Sequence, residues 1–272
     1  MSSPPEYVLT RDYLDNNRYI NLQHHLWIQL FGYLVHPKIS TEDPNLRIAD
    51  VGTGTGIWLT DLAKLLPESV QLDGLDVSFD AAPPSEWLPS NLTLRQWDVK
   101  KDVPEELIGV YDIVHIRNFL FVLQNHEISH VLGNLVKMIK PGGYLQWAEP
   151  DVASFRIEKT KPENPTNAMN RLLKVSQGQD ARLSPTWVPN LPVLYKEIGL
   201  GDITSDVKIA PPYHELAFHE CSMIIHELFA RTTKKEGMAE QLRELLPEVA
   251  KETRRGSCWA FTRMTVVGKK SL

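Results

Sequence analysis

The stretch RIADVGTGTGIWLTDLA, residues 47–63, predicts a strand, a tight turn and a helix in direct succession. A short apolar run leads into three glycines at alternate positions, Gly52, Gly54 and Gly56, and apolar residues at helical spacing follow. Glycine lets the backbone turn tightly and lets a ligand approach the main chain closely. The stretch therefore predicts a ligand site at the end of a buried strand.

The spacing around these glycines narrows the class of ligand. A dinucleotide-binding turn has two residues between its second and third glycines, whereas one residue separates Gly54 from Gly56. The turn also lacks the lysine with which a P-loop embraces a triphosphate. Asp50 precedes the glycines, and Asp76 ends the next predicted strand, where a carboxylate can accept hydrogen bonds from both hydroxyls of a ribose. The spacing therefore favours an adenosine compound without a phosphate chain over a dinucleotide as the ligand. It also favours a binding role over a turn that merely connects strand and helix.

Strands and helices alternate along the chain, which predicts an α/β sheet with mostly parallel strands in one domain. Predicted strands cover 46–51, 70–77, 92–97, 111–116, 143–149, 203–209 and 258–270. Predicted helices cover 18–34, 57–67, 126–143, 167–176, 188–200 and much of 212–255. The segment 153–185 is polar and rich in proline apart from its helical island, so it predicts an insertion after the fifth strand.

Composition excludes several classes of partner. A net charge of -5 argues against a nucleic-acid partner, because phosphates favour a basic face. The two cysteines, Cys221 and Cys258, provide no disulfide framework, which suits a reducing compartment. The first ten residues do not have the pattern of a secretory signal, and no apolar run approaches the span of a bilayer. We therefore expect a cytoplasmic protein without a membrane partner, whose oligomeric state the sequence leaves open.

Several blocks of the sequence resemble a known family. DVGTGTGIW (50–58) with GLDVS (74–78) is similar to motif I and the acidic loop of class I S-adenosylmethionine-dependent methyltransferases. Three further blocks resemble the fungal branch that contains LaeA-like regulators and secondary-metabolite methyltransferases: NNRYINLQHHL (16–26), YDIVHIRNF (111–119) and KPGGYLQW (140–147). The resemblance covers about residues 7–151. It implies a Rossmann-like, seven-stranded sheet flanked by helices, with S-adenosyl-L-methionine as cofactor.

The resemblance also implies an organisation for the single domain, residues 1–272. An N-terminal helical cap would precede a cofactor-binding half, and an acceptor-side half would carry two helical lid insertions. The corresponding ranges are 1–45, 46–150 and 151–272, with insertions near 153–185 and 212–255.

For the methionine end of the cofactor, the resemblance implies contacts along the glycine turn. Gly52, Thr53 and Gly54 would contact it through their backbone, and Gly56 would complete the turn. Asp50 would reach the ammonium group directly or through water.

The ribose and adenine would lie against the next two strand ends. Asp76 would hold the ribose and Val77 would pack on the adenine. Asp98 would accept from the adenine amino group while Val99 supplies a backbone donor. The less favoured alternative for Asp98 is an ordinary acid that ends a strand before a turn.

Four more residues are cofactor candidates with alternatives left open. Arg117, at the end of the fourth strand, could clamp the methionine carboxylate or pair with a local acid, Asp112 or Glu149. In the resembling family the N-terminal segment closes over the cofactor, so three of its side chains would contact the ligand. These are Tyr7, Arg18 and His24. Arg18 could instead be a solvated charge, and His24 a partly buried histidine.

Two residues are candidates for contact with the methyl acceptor. His115 ends the fourth strand and Glu149 the fifth, at the rim where an acceptor would lie, and either could act as a general base. His115 could instead bond a neighbouring loop, and Glu149 could cap a turn or pair with Arg117. The histidines near the end of the chain, His214, His219 and His226, lack a companion cysteine or carboxylate pattern typical of metal ligands, so no metal is predicted.

Three functional classes follow. The leading prediction is methyl transfer to a small, mostly hydrophobic metabolite of secondary metabolism, with O-methylation favoured. The second class is a LaeA-like regulatory protein that acts through a protein partner. The third, an NAD-dependent oxidoreductase, is disfavoured by the glycine spacing. A variant of the first class is a cofactor-binding fold diverted to chemistry without methylation.

Overall fold

A computed structural model describes residues 17–177, 182, 184–233 and 237–272 of the chain, with only the backbone described at position 17. The predicted seven-stranded α/β sheet is confirmed, in the order β3-β2-β1-β4-β5-β7-β6. The strands are β1 (Arg47–Val51), β2 (Gln71–Asp76), β3 (Leu92–Gln96), β4 (Tyr111–Arg117), β5 (Ile139–Lys159), β6 (Leu200–Lys208) and β7 (Ser257–Lys270).

The direction of the strands creates a crevice in the middle of the sheet. β1 to β5 are parallel, and β7 runs antiparallel between β5 and β6. From β1 to β3 the strands are added toward one edge of the sheet, and from β4 onward they are added toward the other edge. The direction of strand addition therefore reverses between β1 and β4. Open α/β sheets bind ligands outside the carboxyl ends of the strands at such a reversal.

Helices cover both faces of the sheet. They are α1 (Leu22–Phe31), α2 (Ile57–Ala63), α3 (Ile128–Met138), α4 (Asn167–Gln177), α5 (Leu191–Glu197), α6 (Pro212–Thr232) and α7 (Met238–Arg254). A π-helical turn, Asn17–Asn21, leads into α1. None of the helices in the described part of the chain combines the length and apolar character needed to cross a membrane.

The core follows from the alternation of side chains along the strands. Ile48 of β1 is fully buried and belongs to the apolar cluster that contains Trp58 and Leu59 of α2. Its neighbour Ala49 belongs to the opposite cluster, with Leu135 of α3. Successive strand residues point to opposite faces, so the continuous apolar run of β1 fills both layers.

A third apolar cluster joins α4, α6 and α7 to the C-terminal part of β5 and the N-terminal part of β7. Glu252 of α7 helps to fix this layer, because its two carboxylate oxygens accept from the backbone N–H groups of Ala168 and Met169, each at 2.9 Å. These donors open α4 and have no partner within their own helix, so Glu252 caps it from a distance.

Two predicted boundaries differ most from the structure. β5 continues to Lys159 instead of ending at 149, because the long β7 provides hydrogen-bonding partners as far as Ser257. Residues 153–159, which the sequence predicts to be part of an insertion, are therefore part of this strand. The helix predicted over 126–143 ends at Met138, since Ile139 already pairs with Tyr111 of β4. In both cases pairing with a strand distant in sequence overrides the local pattern.

Candidate functional site

The glycine turn is fastened to the end of β2. The backbone N–H groups of Gly52 and Thr53 both donate to the carbonyl of Leu75, at 2.8 and 3.1 Å. The N–H of Gly54 donates to Oδ2 of Asp76 at 3.0 Å. The turn's first three backbone donors are therefore used within the protein, and the residue that ends β2 helps to shape the turn.

Close packing explains why glycine occupies two of these positions. A Cβ atom on Gly52 would lie 2.4 Å from a ring carbon of Phe119, and one on Gly54 would lie 3.3 Å from Ile20. Gly52 also has a φ of 70°, in the left-handed region that other residues rarely adopt. The turn is thus in direct contact with the loop after β4 and with the segment before α1.

Asp50 and His115 form a buried pair at the junction of β1 and β4. Oδ1 of Asp50 lies 2.7 Å from Nδ1 of His115, and its Oδ2 accepts from the hydroxyl of Thr53 at 2.8 Å. A carboxylate can only accept, so Nδ1 carries the proton and Nε2 is left as an acceptor. The imidazole stacks on Trp58 at 3.9 Å, and burial lowers the pKa of His115. The histidine is therefore a neutral ring held in one tautomer.

Two further acids line the same cleft at the ends of β2 and β3. Asp76 is half-buried. Its Oδ2 accepts from the N–H of Gly54, and its Oδ1 accepts from the N–H of Val77 at 2.7 Å. Asp98 accepts from the N–H of Lys100 at 3.0 Å. A carboxylate oxygen can accept more than one hydrogen bond, so Asp98 can also accept from a ligand.

Arg117 ends β4 and is bonded to the N-terminal helix. Its Nη2 donates to Nδ1 of His24 at 2.7 Å, and Nε2 of His24 then donates to Asp61 at 3.0 Å. Burial, with Arg117 as the next cause, lowers the pKa of His24 to about 4, so the ring is neutral. The predicted alternative pairing of Arg117 with Asp112 is wrong, because Asp112 bonds Lys140 at 2.7 Å.

Glu149 lies behind the loop that follows β4. It is fully buried, and its carboxyl group accepts from the N–H of Phe119 at 2.6 Å, the N–H of Leu120 at 3.3 Å and the indole N–H of Trp147 at 2.7 Å. Burial raises the pKa of Glu149 to about 8. In this position the residue fixes the loop, and it is not among the described residues that line the cleft.

The cleft lies above the reversal between β1 and β4. It brings together most of the predicted site residues: Asp50, Gly52, Thr53, Gly54, Asp76, Val77, Asp98, Val99, His115 and Arg117. The others lie elsewhere. Arg18 is exposed, His24 is buried beside Arg117, and Gly56 forms the N-cap of α2. Tyr7 falls outside the described residues.

Sequence reasoning missed several residues of the cleft wall. Trp58, Phe119 and Gln23 line it, although their patterns fit core or surface positions. Phe119 carried one usable signal, since it follows shortly after Arg117 at the carboxyl end of a central strand. Trp58 gave none, because an aromatic residue on an amphipathic helix is usually part of the core.

A second cavity, which we call the distal cavity, adjoins this cleft. Tyr19, Gln23 and Phe121 line both spaces. The remaining walls of the distal cavity come from β5, α4, α6 and β7 and are mostly apolar. The late helices therefore reach the ligand-binding edge of the sheet.

One group of described residues has the donors for a metal ion. His24, His25 and Asp61 each place one ligand atom within 4.8 Å of the others. Lys64 bonds Asp61 at 2.6 Å, and Arg117 occupies Nδ1 of His24. Two cations this close oppose a bound metal ion, so the arrangement is that of a hydrogen-bonded chain.

Comparisons with known proteins agree with this geometry. A sequence model described as a methyltransferase domain matches residues 21–187. The chain is 37% identical over 146 residues to the methyltransferase grgD of Penicillium sp, covering 50% of each chain. It is 38% identical over 130 residues to the N-methyltransferase verN of Clonostachys rogersoniana, covering 46% of this chain and 44% of that one. The chain thus spans about half the length of these curated relatives.

A solved structure extends the likeness of fold to nearly the whole chain. The structure is phosphoethanolamine N-methyltransferase 2 of Haemonchus contortus in complex with S-adenosyl-L-methionine, with a TM-score of 0.52 and 15% identity. The alignment covers 96% of this chain and 60% of that one. At this level of identity the comparison concerns the fold alone.

Proposed function

This chain belongs to the methyltransferase domain family, and we propose that it transfers a methyl group from S-adenosylmethionine to a small, mostly hydrophobic metabolite of secondary metabolism. The family resemblance read from the sequence is confirmed, and S-adenosylmethionine is the cofactor of this family. One observation carries the proposal. The glycine turn faces a cleft in which three acids and an arginine converge from four different strand ends.

The chemistry of these residues fits the parts of the cofactor. Asp76 is half-buried at the cleft wall and would hold the ribose hydroxyls, while Val77 and the buried Val99 offer apolar contact for the adenine. Asp98 would accept from the adenine amino group. Such a division between polar ends and an apolar wall is typical of cofactor sites.

The methionine end would lie between the glycine turn and β4. Asp50 provides the negative charge for an ammonium group, and Arg117 the positive charge for a carboxylate. The N–H groups of Gly52 and Thr53 are bonded to Leu75, so the turn would meet the ammonium through its carbonyl oxygens. This refines the backbone contact expected from the sequence.

When bound, the cofactor supplies a sulfonium methyl group to an in-line displacement. The residues of the chain then have to orient two molecules, and orientation by itself can supply several kcal/mol of the barrier. His115 lines the cleft, and its Nδ1 bond to Asp50 leaves Nε2 as the acceptor atom of the ring, which supports its proposed role toward the methyl acceptor. Glu149 has three N–H donors on its carboxyl group, which supports a role in positioning the loop instead.

The acceptor atom is the finer part of the proposal. The sequence favoured oxygen, whereas the relative verN, an N-methyltransferase, supports nitrogen. Both atoms release a proton on methylation, so either can use a neutral imidazole. Incubation with S-adenosylmethionine labelled in the methyl group and a panel of phenols, aliphatic alcohols and secondary amines would reveal the atom by mass spectrometry of the product.

Cofactor binding is tested with a matched pair of acids. Asp76→Ala should weaken binding of S-adenosylhomocysteine by roughly tenfold to a few hundredfold, because hydrogen bonds to a charged group contribute about 1.5–3 kcal/mol. Asp80→Ala removes an exposed acid a few residues later and should leave the affinity unchanged. Calorimetry measures both. Equal affinities would refute the ribose assignment.

Two outcomes would direct attention to another function. Binding of S-adenosylmethionine without methylation of any small molecule would favour a regulatory or diverted use of the fold. Efficient methylation of histone peptides or RNA would contradict the small-molecule acceptor.

A further inference from the structure

The distal cavity has a polar pair in an otherwise apolar wall. Ser176 of α4 and His226 of α6 both line it, and the hydroxyl oxygen lies 2.9 Å from Nε2 of the imidazole. His226 is 7% exposed and Ser176 is half-buried. Around the pair are large apolar side chains, among them Leu173, Phe229 and Trp259. The pair thus bridges the two helices that cover this part of the sheet.

The hydrogen bonds assign the protons of the pair. Nδ1 of His226 lies 2.9 Å from the backbone carbonyl of Ser222, and a carbonyl can only accept, so Nδ1 carries a proton. Burial lowers the pKa of His226 to about 4, which leaves Nε2 unprotonated at neutral pH. The hydroxyl of Ser176 is then the donor to Nε2.

This arrangement leaves Ser176 able to accept. Its hydroxyl has one proton, for which the carbonyl of Leu172, also at 2.9 Å, competes with His226. When Ser176 donates to Nε2 of His226, the lone pairs of its oxygen are available to a donor in the cavity. A bound O–H or N–H would therefore complete a chain that runs from the ligand to Ser176, His226 and Ser222.

The charges near the cavity are balanced. Arg263 lines it and bonds Glu215 at 3.1 Å, and Arg156 bonds Glu158 at 2.6 Å. Both Arg263 and Glu215 are almost fully buried. With each cation matched by a carboxylate, a charged ligand would add an uncompensated buried charge, which is unfavourable.

We propose that the distal cavity binds the methyl acceptor, and that the Ser176–His226 pair selects a neutral, mostly apolar molecule by accepting a hydrogen bond from a single O–H or N–H group. This inference rests on the proposed function. Tyr19, Gln23 and Phe121 line both spaces, so an acceptor in the distal cavity would lie directly beside the cofactor cleft. Gln23 places an amide at this junction, where it can orient the group that is methylated.

Much of the distal cavity lies outside the part of the chain that the family match includes. The methyltransferase domain match ends at residue 187, whereas Ser222, His226 and Arg263 lie beyond it. The cofactor cleft is built almost entirely within the matched range. Of the polar pair itself, Ser176 lies inside the matched range and His226 lies outside it.

Two probes of nearly equal shape test the proposal. 2-Naphthol has an O–H donor, and 2-methylnaphthalene replaces it with a methyl group. With S-adenosylhomocysteine present at saturation, the wild-type protein should bind 2-naphthol about threefold to tenfold more tightly, as one neutral hydrogen bond allows. Ser176→Ala and His226→Phe should reduce this preference to less than about twofold. Affinity for 2-methylnaphthalene should stay the same in Ser176→Ala.

Ser222→Ala is the matched control. Ser222 lines the same cavity, but its hydroxyl donates to the carbonyl of Phe218 within its own helix, at 2.9 Å, so the preference for 2-naphthol should remain. Equal binding of the two probes by the wild type, no binding of either, or displacement of 2-naphthol by S-adenosylhomocysteine would each overturn the proposal. Failure to bind S-adenosylhomocysteine would instead contradict the proposed function.

Discussion

Arg117 and His24 are 93 positions apart in sequence, and the guanidinium Nη2 donates to the imidazole Nδ1 across 2.7 Å. Because Nδ1 accepts, Nε2 carries the proton and donates to Asp61. The end of β4, the N-terminal helix α1 and the helix α2 that follows the glycine turn are joined by this chain of side chains. The orientation of Arg117 in the cleft therefore depends on a helix that precedes the sheet.

His24→Ala should destabilise the protein and weaken cofactor binding together. The change leaves a buried guanidinium donor without its acceptor, which should lower the free energy of unfolding by about 1.5–3 kcal/mol. His25→Ala is the control, since this neighbouring histidine is exposed and its loss should change stability by less than about 0.5 kcal/mol. Urea unfolding and calorimetry with S-adenosylhomocysteine measure the two effects. Identical results for the two variants would contradict the role of His24.

Gly52→Ala should be far more disruptive than Gly32→Ala, although both glycines have a positive φ. A Cβ atom on Gly32 would have no neighbour within 4 Å, so alanine there should lower the free energy of unfolding by about 1–2 kcal/mol from backbone strain alone. At Gly52 the clash with Phe119 adds to the strain, and the loss should be about 2–5 kcal/mol. Thermal unfolding of both variants compares them, and equal losses would show that Phe119 moves freely.

Acid should destabilise the protein through His219. Its Nδ1 accepts from the N–H of Trp259, and burial lowers its pKa from 6.5 to about 4. A histidine whose pKa is lowered on folding contributes stability above the unfolded pKa, and this is lost as pH falls from about 6.5 to 4. Between pH 7 and pH 5 the wild type should lose about 2 kcal/mol relative to His219→Gln. Denaturant unfolding at the two pH values checks this, and a constant difference would mean that the folded protein protonates His219 normally.

Glu149 should produce the opposite dependence. Burial raises its pKa from 4.5 to about 8, so the contribution to stability is present below pH 4.5 and is lost as pH rises through 8. From pH 5.5 to pH 7.5 the wild type should lose about 2 kcal/mol relative to Glu149→Gln. Denaturant unfolding at the two pH values measures this difference in the free energy of unfolding. If the difference does not change with pH, the carboxylate is ionised in the fold and its three N–H donors outweigh burial.

The sequence located the central strands and the glycine turn to within a residue or two, because their signals are local. β1 is a short apolar run that ends at Val51, and the glycines follow at once. Asp76 was found in the same way, since it ends a buried run. The extension of β5 to Lys159 was not predictable, because residues 153–159 become a strand only through pairing with β7, the last strand of the chain.

The sequence by itself determined the family, the α/β sheet and the identity of the acids around the turn, since a strand end followed by glycine places particular residue types at one edge of the sheet. Only the tertiary structure decided which partners the functional side chains have. In the fold His24 bonds Arg117, Glu149 is buried behind the loop after β4, and Ser176 of one helix bonds His226 of another. The spacing of apolar residues in the sequence indicates which face of a helix or strand is buried. Which residues pack against that face depends on how elements distant in sequence come together.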